Sequence, residues 1–589
     1  MCGIVGEYFF NNYTNNSNHN IDILLDKIKS RGPDYSGFFV NDCIALGHTR
    51  LSIIDLSSAS NQPFEDKEAQ LVMVYNGCIY NYKELRTQLI KKGHFFKTSG
   101  DTEVVLKAYK EWGHKCLEKF EGDFAFAVWE INNKKLFLAR DRFGVKPLYY
   151  THTNNFFRFG SNLQSVISKK DINLNIDIKS LHMHFSLHSV VPAPDTLFEN
   201  IKKLSPGYFL IIDKSNKLQV SRFWKLESFD KGSYIKNENE AKELIKNLLI
   251  NSIEKRLSAS DTDIGVLLSG GLDSSLIVAL AKNNFSKLKT YSIGFEDDIN
   301  EKGSEFIYSD KLVKKFKTNH KKFIINNNQV LSSLPEAFRA MSEPMVAQDA
   351  VAFYMLSELV SKEVKVVLSG QGADEGFAGY FWYNKINLEL NKYSNFSKHY
   401  LDRDHTEIKE LLNYKFNYDF TSEMIEKKFS FINSNTLIGN VLNFDITTLV
   451  VEDPVKRVDN MTMAWGLEAR VPFLDHKLIE ASVKIDPSLH LARNGKNILK
   501  AISDDILPKE IIDRKKGYFP MPALKYIRGE YYNFVYDILN SSKCYNRNMY
   551  NRNYINKLLE KPNEYKTAID GNKLWHVAAT ELWFQQNVD

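Results

Sequence analysis

The sequence predicts two domains of mixed helix and strand, α+β in the N-terminal part and α/β with a parallel sheet in the C-terminal part. The length of 589 residues exceeds that of most single domains. The short apolar run GVLL at 265–268 is typical of a buried parallel strand, and a glycine loop and a helix-compatible segment follow it at once. The segment VKVVLSGQGADEGFAGY at 364–380 repeats this strand–loop–helix order and favours a parallel α/β sheet.

Other segments indicate where the domains meet. CGIVGEYFF at 2–10 is compatible with a buried strand, and KKLSPGYFLIID at 202–213 with a turn that leads into another strand. The polar, loosely patterned stretch 214–240 is predicted as a linker. The first domain then spans 1–213 and the second 241–589, with a helical C-terminal part.

Composition excludes several classes of protein. Hydrophobic residues make up 43% and charged residues 25%, which is ordinary for a soluble globular chain, and the net charge of +5 is too weak to argue for a nucleic-acid partner. The five cysteines are widely spread in the sequence and form no CxxC pair, which argues against a disulfide framework and against a structural zinc site. Neither a signal peptide nor an apolar run of about 18 residues is found, so we expect a cytoplasmic protein without a membrane partner.

Cys2 has two interpretations. It is either a small apolar residue at the start of a buried strand, or a nucleophile that becomes N-terminal when Met1 is removed. In the second case its own α-amine, with a pKa of about 8, is a general base on the same residue.

Blocks downstream of Cys2 decide between these interpretations. They are RGPD at 31–34, LGHTRLSIIDL at 46–56, VYNGCIYNYKELR at 74–86, TSGDTEVVLKAYKEWG at 98–113, FEGDFAFAVWE at 120–130 and LFLARDRFGVKPLYY at 136–150. Together, and in this order, they resemble the class II, N-terminal-nucleophile (Ntn) glutamine amidotransferase domain over residues 1–165. The resemblance implies an Ntn-hydrolase-type αββα sandwich with Cys2 as the catalytic nucleophile.

The same resemblance assigns roles to four further residues. Asn76, through its side-chain amide, and Gly77, through its backbone N–H, form the oxyanion hole. Glycine is expected at 77 so that the backbone approaches the substrate closely. Arg50 binds the glutamine α-carboxylate and Asp101 the α-ammonium.

One position departs from the family pattern. Cys78 stands where many asparagine synthetases have a glutamate that contacts the glutamine amine. A thiol cannot replace that charge, and Cys78 itself is predicted to be structural.

The stretch SGGLDSS at 269–275 is a predicted phosphate site. Its glycines expose backbone N–H groups at a helix N-terminus, and its serines add hydroxyl donors. Asp273 fits an anion-binding loop only if a cation bridges it to phosphate. The loop lacks the lysine of the Walker pattern and resembles the pyrophosphate loop of the N-type ATP pyrophosphatases, which cleave ATP to AMP and pyrophosphate.

This second resemblance covers residues 240–530 and implies the nucleotide site. The implied ATP-binding residues are Leu267, Ser269, Gly270, Gly271, Asp273, Ser274, Ser275, Ile293, Ser369 and Gly370. Asp273 and Asp374 are expected to share Mg²⁺, and Lys516 to neutralise charge on the departing phosphates.

The order of the two halves is that of the glutamine-hydrolysing asparagine synthetase family. It implies that ammonia released at Cys2 travels through an internal passage to a carboxylic acid activated by MgATP. The substrates implied are glutamine, ATP and an acceptor acid, and the resemblance also implies a homodimer, which members of the family often form.

The acceptor acid stays open between two candidates. Many asparagine synthetases carry an acidic residue in the second loop where this chain has Gln371, and a neutral amide cannot accept a proton as a carboxylate does. Gln371 and neighbouring segments resemble a subgroup that amidates the dipeptide N-acetylglutaminylglutamine to an osmoprotectant. Aspartate, the parent acceptor of the architecture, is the nominal assignment.

Two other functions are weaker alternatives. One is an ammonia-dependent ligase with an inactive glutaminase domain. The presence of Cys2 together with Arg50, Asn76 and Asp101 argues against it. A non-catalytic scaffold has no use for the SGGLDSS loop together with Asp374 and Lys516.

Overall fold

The computed structural model describes residues 2–10, 20–227, 234–285, 287–386, 393–432, 434, 436–514 and 521–589. In these ranges the N-terminal domain contains two six-stranded antiparallel sheets, as the sequence predicts. Its strands are β1 Gly3–Phe9, β2 Tyr35–Val40, β3 Ile44–Arg50, β4 Phe64–Asp66, β5 Leu71–Ile79, β6 Gly122–Glu130, β7 Lys135–Arg140, β8 Tyr149–His152, β9 Phe156–Gly160, β10 Lys202–Lys203, β11 Tyr208–Asp213 and β12 Leu218–Arg222. The helices of this part are α1 Ile21–Asp26, α2 Tyr82–Lys91, α3 Asp101–Trp112, α4 Cys116–Lys119, α5 Leu163–Ile167 and α6 Ile178–Ser186.

The two sheets form the central layers of an αββα sandwich. Their strand orders are β10-β8-β9-β1-β3-β2 and β12-β11-β7-β6-β5-β4. Apolar side chains from both sheets, among them Ile4, Val74 and Trp129, pack in one fully buried cluster between them. Helix α1 covers the outer face of the first sheet, and α2 and α3 cover that of the second.

The stretch predicted as a linker carries regular structure. β12 lies inside 214–240 and pairs antiparallel with β11, from Tyr208↔Arg222 to Ile212↔Leu218. The last four residues of β12 are exposed, because β12 is an edge strand of its sheet. Helix α7 begins at Glu238, also inside the stretch.

The C-terminal domain is built on a parallel sheet, again as the sequence predicts. Its strands are β13 Ile264–Leu267, β14 Lys289–Phe295, β15 Asn319–Ile325, β16 Val366–Leu368 and β17 Glu468–Arg470, in the order β15-β14-β13-β16-β17. Its helices are α7 Glu238–Ser258, α8 Leu272–Ala281, α9 Phe306–Phe316, α10 Asn327–Ala340, α11 Gln348–Val360, α12 Ala373–Gly376, α13 Tyr393–Tyr400, α14 His405–Leu411, α15 Phe420–Ile432, α16 Leu437–Phe444, α17 Lys456–Met463, α18 His476–Ser482, α19 Pro487–Leu491, α20 Asn497–Ser503, α21 Lys509–Ile512, α22 Pro522–Lys525, α23 Gly529–Leu539, α24 Ser542–Arg547, α25 Arg552–Glu560 and α26 Lys573–Asn587.

The strand order places a crevice at the centre of this sheet. From β13 the chain moves outward through β14 to β15, and it then returns to β16 on the other side of β13. The loops that follow β13 and β16 therefore diverge at the carboxyl edge of the sheet, where open α/β sheets bind ligands. In the described ranges, no helix combines the length and apolar character needed to cross a membrane.

Candidate active site

The first candidate site surrounds Cys2, which directly precedes β1. The Cys2 backbone N–H donates to the Asn76 Oδ1 at 3.0 Å, and the Cys2 carbonyl oxygen accepts from the Arg31 Nε at 3.1 Å. These bonds anchor the backbone of the half-buried cysteine. Burial raises the pKa of the Cys2 thiol above its ordinary value, and nearby Arg50 only partly opposes this. A thiol with a raised pKa depends on a base to become a nucleophile.

In the side-chain amide of Asn76 in β5, the oxygen is hydrogen-bonded, and the nitrogen has no partner among the described residues. Its side chain is fully buried, and its Oδ1 accepts from Cys2. Among the described residues its Nδ2 has no hydrogen-bond partner. A buried donor without an acceptor costs about 1–3 kcal/mol, so this N–H is available to an acceptor that comes next to it.

Gly77 follows Asn76 in β5, and strand packing gives a second reason for its lack of a side chain, beside the expected one. A Cβ at this position would lie 2.4 Å from the carbonyl oxygen of Asp123 and 2.8 Å from the Cα of Phe124, both in β6. Glycine is therefore required for the pairing of β5 with β6, and not only for an approach of substrate.

Arg50, at the end of β3, is held by the loop that follows it. Its Nη1 donates to the carbonyl oxygen of Ser57 and to the Asn61 Oδ1, each at 2.7 Å, and its Nη2 donates to the carbonyl oxygen of Asp55. The guanidinium is thus buried and fixed in position. Three of its hydrogen-bond contacts are to protein groups, which leaves donors for a carboxylate.

Asp101 is the first residue of α3 and lies beside β5. Its Oδ2 accepts from the Tyr75 hydroxyl at 2.7 Å and from the Ile79 backbone N–H at 3.1 Å. Burial raises the pKa of this carboxyl.

Cys78 is fully buried, its pKa is raised by burial, and it packs in the core beneath α2 and α3.

A residue that the sequence did not single out joins this site to the second domain. Arg31 donates through Nη1 and Nη2 to the two carboxylate oxygens of Asp459, at 2.8 and 3.1 Å, while its Nε holds the Cys2 carbonyl. Asp459 lies in α17 of the C-terminal domain. The RGPD block contains Arg31, but its partner is 428 residues away in the sequence and no local pattern indicates it.

The second candidate site is a cavity of about 320 Å³ at the crevice of the parallel sheet. The predicted residues that line it are Leu267, Ser269, Asp273, Ser274, Ile293, Ser369, Gly370, Gln371 and Asp374. The structure thus brings together residues from three separate segments of the sequence. Gly270, Gly271 and Ser275 belong to the same loop and helix but are not among the lining residues.

The loop 269–271 has the form of an anion site. Gly270 has φ 78°, and a Cβ there would lie 2.7 Å from the Cβ of Tyr308, so only glycine fits. The Ser269 Oγ lies 3.1 Å from the Ser274 Oγ and accepts from the Gly271 N–H at 3.2 Å. The loop opens onto the N-terminus of α8, where unpaired N–H groups favour a phosphate.

Asp273 and Asp374 meet at one lysine that the sequence prediction missed. The Lys496 Nζ lies 2.7 and 2.6 Å from the two carboxylate oxygens of Asp273 and 2.6 Å from the Oδ1 of Asp374. Burial alone would lower the pKa of Lys496, but the two carboxylates hold it well above its ordinary value. The two acids are therefore close enough to share one cation.

A strained turn carries Lys496 to the two acids that line the cavity. Arg493, Asn494, Gly495 and Lys496 have φ of 52°, 61°, 90° and 55°, a run of left-handed residues that is uncommon outside functional sites. Gly379 leaves room for the lysine, because a Cβ there would lie 2.2 Å from the Lys496 Cε. The Asn494-Gly495 pair is typical of a turn, but nothing local indicates where the turn points.

Two other predicted residues are only partly accounted for. Lys516 lies outside the described residues. The Gln371 Oε1 accepts from the Ser369 Oγ at 3.4 Å, so the amide lies next to the loop that follows β16.

Comparison with known proteins decides the family. The family described as asparagine synthase matches residues 244–585, and the glutamine amidotransferase domain matches residues 1–224. The chain belongs to the asparagine synthase family. It is an amidotransferase and ligase of the glutamine-dependent asparagine synthetase type, in which the sandwich around Cys2 is the amidotransferase domain and the parallel-sheet domain is the synthetase domain.

Full-length relatives agree with this assignment. Asparagine synthetase [glutamine-hydrolyzing] 1 of Bacillus subtilis (strain 168) is 30% identical, over 100% of this chain and 97% of that protein. Asparagine synthetase [glutamine-hydrolyzing] 3 of the same organism is also 30% identical, over 88% of this chain and 87% of that protein. Another relative is named amidase chry2, from Gibberella zeae, at 27% identity over 81% of this chain and 80% of that protein. Family membership thus defines the reaction class but leaves the acceptor open.

Proposed function

We propose that the protein is a glutamine-hydrolysing asparagine synthetase, which converts aspartate, glutamine and ATP into asparagine, glutamate, AMP and pyrophosphate. The observation that best supports glutamine hydrolysis is the contact between Cys2 and Asn76. One end of the Asn76 amide holds the backbone of the nucleophile, and the other end is a buried donor without a partner among the described residues. Together with family membership, this pair supports an active glutaminase rather than an ammonia-fed ligase.

In the glutaminase site, the Cys2 sulfur attacks the side-chain amide carbon of glutamine. The thiol proton passes to the α-amine of Cys2, which is free once Met1 is removed, and that ammonium then protonates the amide nitrogen, which leaves as neutral ammonia. Asn76 and Gly77 donate to the oxyanion, while Arg50 and Asp101 bind the α-carboxylate and α-ammonium of the substrate. Water hydrolyses the resulting thioester to glutamate.

In the synthetase site, the residues fit a nucleotide and a divalent cation. Asp273 and Asp374 offer hard oxygen ligands to one point, as Mg²⁺ prefers, and the loop 269–271 with the N-terminus of α8 suits the phosphates. When bound, Mg²⁺ neutralises charge on the phosphates. Lys496 adds a positive charge at the same place, which stabilises the pyrophosphate as the carboxylate of the acceptor attacks the α-phosphorus.

Ammonia then attacks the acyl-adenylate, and AMP leaves. Gln371 borders this cavity but has no carboxylate with which to accept a proton from the incoming amine. This departure supports the second candidate function, amidation of N-acetylglutaminylglutamine by the same two-site route.

A pyrophosphate-release assay tests the proposal. The wild-type chain is supplied with MgATP and glutamine, and with either L-aspartate or N-acetylglutaminylglutamine, and the product is identified by mass. We expect turnover with aspartate, loss of glutamine-driven but not ammonia-driven synthesis in Cys2→Ala, and loss of pyrophosphate release in Asp273→Ala. Pyrophosphate release with the dipeptide alone would replace the first candidate by the second, and equal loss of both nitrogen sources in Cys2→Ala would refute the two-site mechanism.

A further inference from the structure

Two histidines and an aspartate lie together outside both sites described above. They are His182 of α6, His405 at the start of α14 and Asp419, which directly precedes α15. The His182 Nε2 lies 3.0 Å from the His405 Nδ1 and 3.9 Å from the Asp419 Oδ1. One nitrogen of each ring and one carboxylate oxygen all lie within 4.8 Å of one another. None of the three residues lines the cavity of the synthetase site.

These separations fit three ligands of one metal ion. Zinc binds imidazole nitrogen at about 2.0–2.1 Å and carboxylate oxygen at about 2.0–2.2 Å, in tetrahedral geometry. Two ligand atoms of such an ion are therefore about 3.3–3.4 Å apart. The contact between the two rings is slightly shorter than this, and the contact of His182 with Asp419 is slightly longer. His405 and Asp419 are only half-buried, so small shifts of their side chains bring all three atoms to one centre.

The ring of His182 is held as a metal ligand requires. Its Nδ1 lies 2.7 Å from the Thr421 Oγ1, and a second contact of this kind orients most ligating histidines. The side chain is fully buried against Phe416 and Phe420, whose ring centroids lie 5.3 and 5.9 Å from that of His182. Burial lowers the pKa of His182 to about 4, so at neutral pH the ring has no charge and keeps a lone pair for a metal.

Asp419 is fixed by the first turn of α15. Its Oδ1 accepts from the backbone N–H groups of Thr421 and Ser422, at 3.1 and 3.0 Å, and its Oδ2 accepts from the Ser422 hydroxyl at 2.6 Å. Hydrogen bonds of this kind hold a ligating carboxylate in place. Two imidazoles and one carboxylate suit zinc and its neighbours in the first transition series, whereas magnesium and calcium prefer oxygen ligands alone.

The three side chains come from both domains. Helix α6 belongs to the amidotransferase domain, and α14 and α15 belong to the synthetase domain. An ion bound by all three residues therefore links the two domains. The lack of a CxxC pair argues only against a cysteine-rich zinc site. The two histidines lie 223 residues apart in the sequence, so no local pattern indicates this site.

We propose that His182, His405 and Asp419 bind a divalent transition-metal ion, of which zinc fits best, with a fourth position open to water. The proposal goes beyond the proposed function and does not depend on it. The ion takes no part in the amide-forming reaction, and its effect is to stabilise the contact between the two domains. The rival explanation is a hydrogen bond between two neutral rings, which needs no ion.

Cobalt(II) binding tests the proposal, because a tetrahedral cobalt ion absorbs visible light. The full chain, without a histidine tag and freed of metal by chelation, is titrated with Co²⁺ and then with Zn²⁺, with Mg²⁺ present to occupy oxygen-only sites. We expect Co²⁺ to bind with visible absorption and Zn²⁺ to displace it. His405→Gln and Asp419→Asn should each weaken Co²⁺ binding at least tenfold. His114→Gln changes an exposed histidine of the amidotransferase domain and should leave binding unchanged.

The spectra and melting curves also show what would overturn the proposal. No Co²⁺ binding, or equal binding by wild type and His405→Gln, overturns it. Near-ultraviolet absorption typical of a cobalt–thiolate bond would place the ion at a cysteine such as Cys2 and overturn it too. Zn²⁺ should raise the melting temperature of the wild-type chain but not that of His405→Gln, because an ion stabilises only the fold that binds it. A wild-type melting temperature that ignores Zn²⁺ would leave the hydrogen bond as the explanation. Equal melting of both chains in EDTA shows that the variant has lost binding and not its fold.

Discussion

Replacing Asn76 by alanine tests the oxyanion hole most directly. The variant removes the unpartnered Nδ2 donor and also the Oδ1 that holds the Cys2 N–H at 3.0 Å. Loss of one preorganised oxyanion donor typically lowers kcat by about 10²–10³, or about 2.7–4 kcal/mol of transition-state stabilisation. We expect glutaminase kcat to fall at least that far, since the anchor of the nucleophile is lost as well.

Stability should change much less than catalysis. The variant loses one hydrogen bond to Cys2, worth about 1 kcal/mol, but it also removes a buried donor whose lack of a partner costs about 1–3 kcal/mol. These contributions oppose each other. The melting temperature should therefore stay within a few degrees of wild type, and the loss of activity cannot be assigned to unfolding.

The assay follows glutamate formation and amide formation in parallel. Glutamine-driven synthesis should fall with the glutaminase rate, while ammonia-driven synthesis, which depends on the second site, should be retained. Asn133→Ala is the matched control, because Asn133 is an exposed asparagine in a turn of the same domain whose side chain contacts Glu130. A decrease of less than tenfold in glutaminase kcat, or an equal decrease of ammonia-driven synthesis, would refute the reasoning.

Further predictions concern the second site, the domain contact and pH. Lys496→Met should lower pyrophosphate release by at least 100-fold and leave glutaminase activity unchanged. Gly379→Ala should do the same, because its Cβ would lie 2.2 Å from the Lys496 Cε. Normal pyrophosphate release in either variant contradicts the role of Lys496. Arg31→Lys cannot keep both bonds to Asp459, so glutamate should form without matching amide, and an unchanged product ratio would contradict this. Burial lowers the pKa of His48 to about 3 in the folded chain, whereas an unfolded histidine has a pKa of about 6.5. Between these pH values only the unfolded chain binds the proton, so the free energy of unfolding should fall by about 1.4 kcal/mol for each pH unit below 6.5. His48→Phe should reduce that dependence in calorimetric melts at pH 7 and 5, and an identical slope in the variant would exclude His48 as its source.

The sequence was most informative where function depends on neighbouring residues. The SGGLDSS loop follows its strand directly and begins its helix, so local composition predicts both the fold unit and the anion site. The two-domain architecture was predicted in the same way, from ordered blocks. Edge strand β12 was assigned to a linker, because its alternation of Leu218 and Val220 with polar residues is too short to stand out in a polar stretch.

The features that the sequence did not indicate depend on distant contacts. Lys496 lies 223 residues from Asp273 in the sequence, and its place beside that acid results from a turn and from the space left by Gly379. His182 is an ordinary histidine in the sequence, and only the fold buries it beside His405 and Asp419. Sequence patterns report local geometry, whereas both of these residues acquire their chemistry from tertiary burial.

Buried charges at the domain contact explain how two sites work as one enzyme. Arg31 binds Asp459 and Cys2 together, and Lys203 of β10 contacts Glu343 at 2.9 Å and Glu452 at 2.6 Å, both from the synthetase domain. Such pairs add little net stability, because desolvation offsets their attraction, but an arrangement that breaks one leaves a buried charge and costs about 3–5 kcal/mol. They therefore favour one alignment of the domains over others. In the proposed mechanism a fixed alignment is what transfer of uncharged ammonia between the sites requires, since a gap open to water would protonate the ammonia and remove its nucleophilicity.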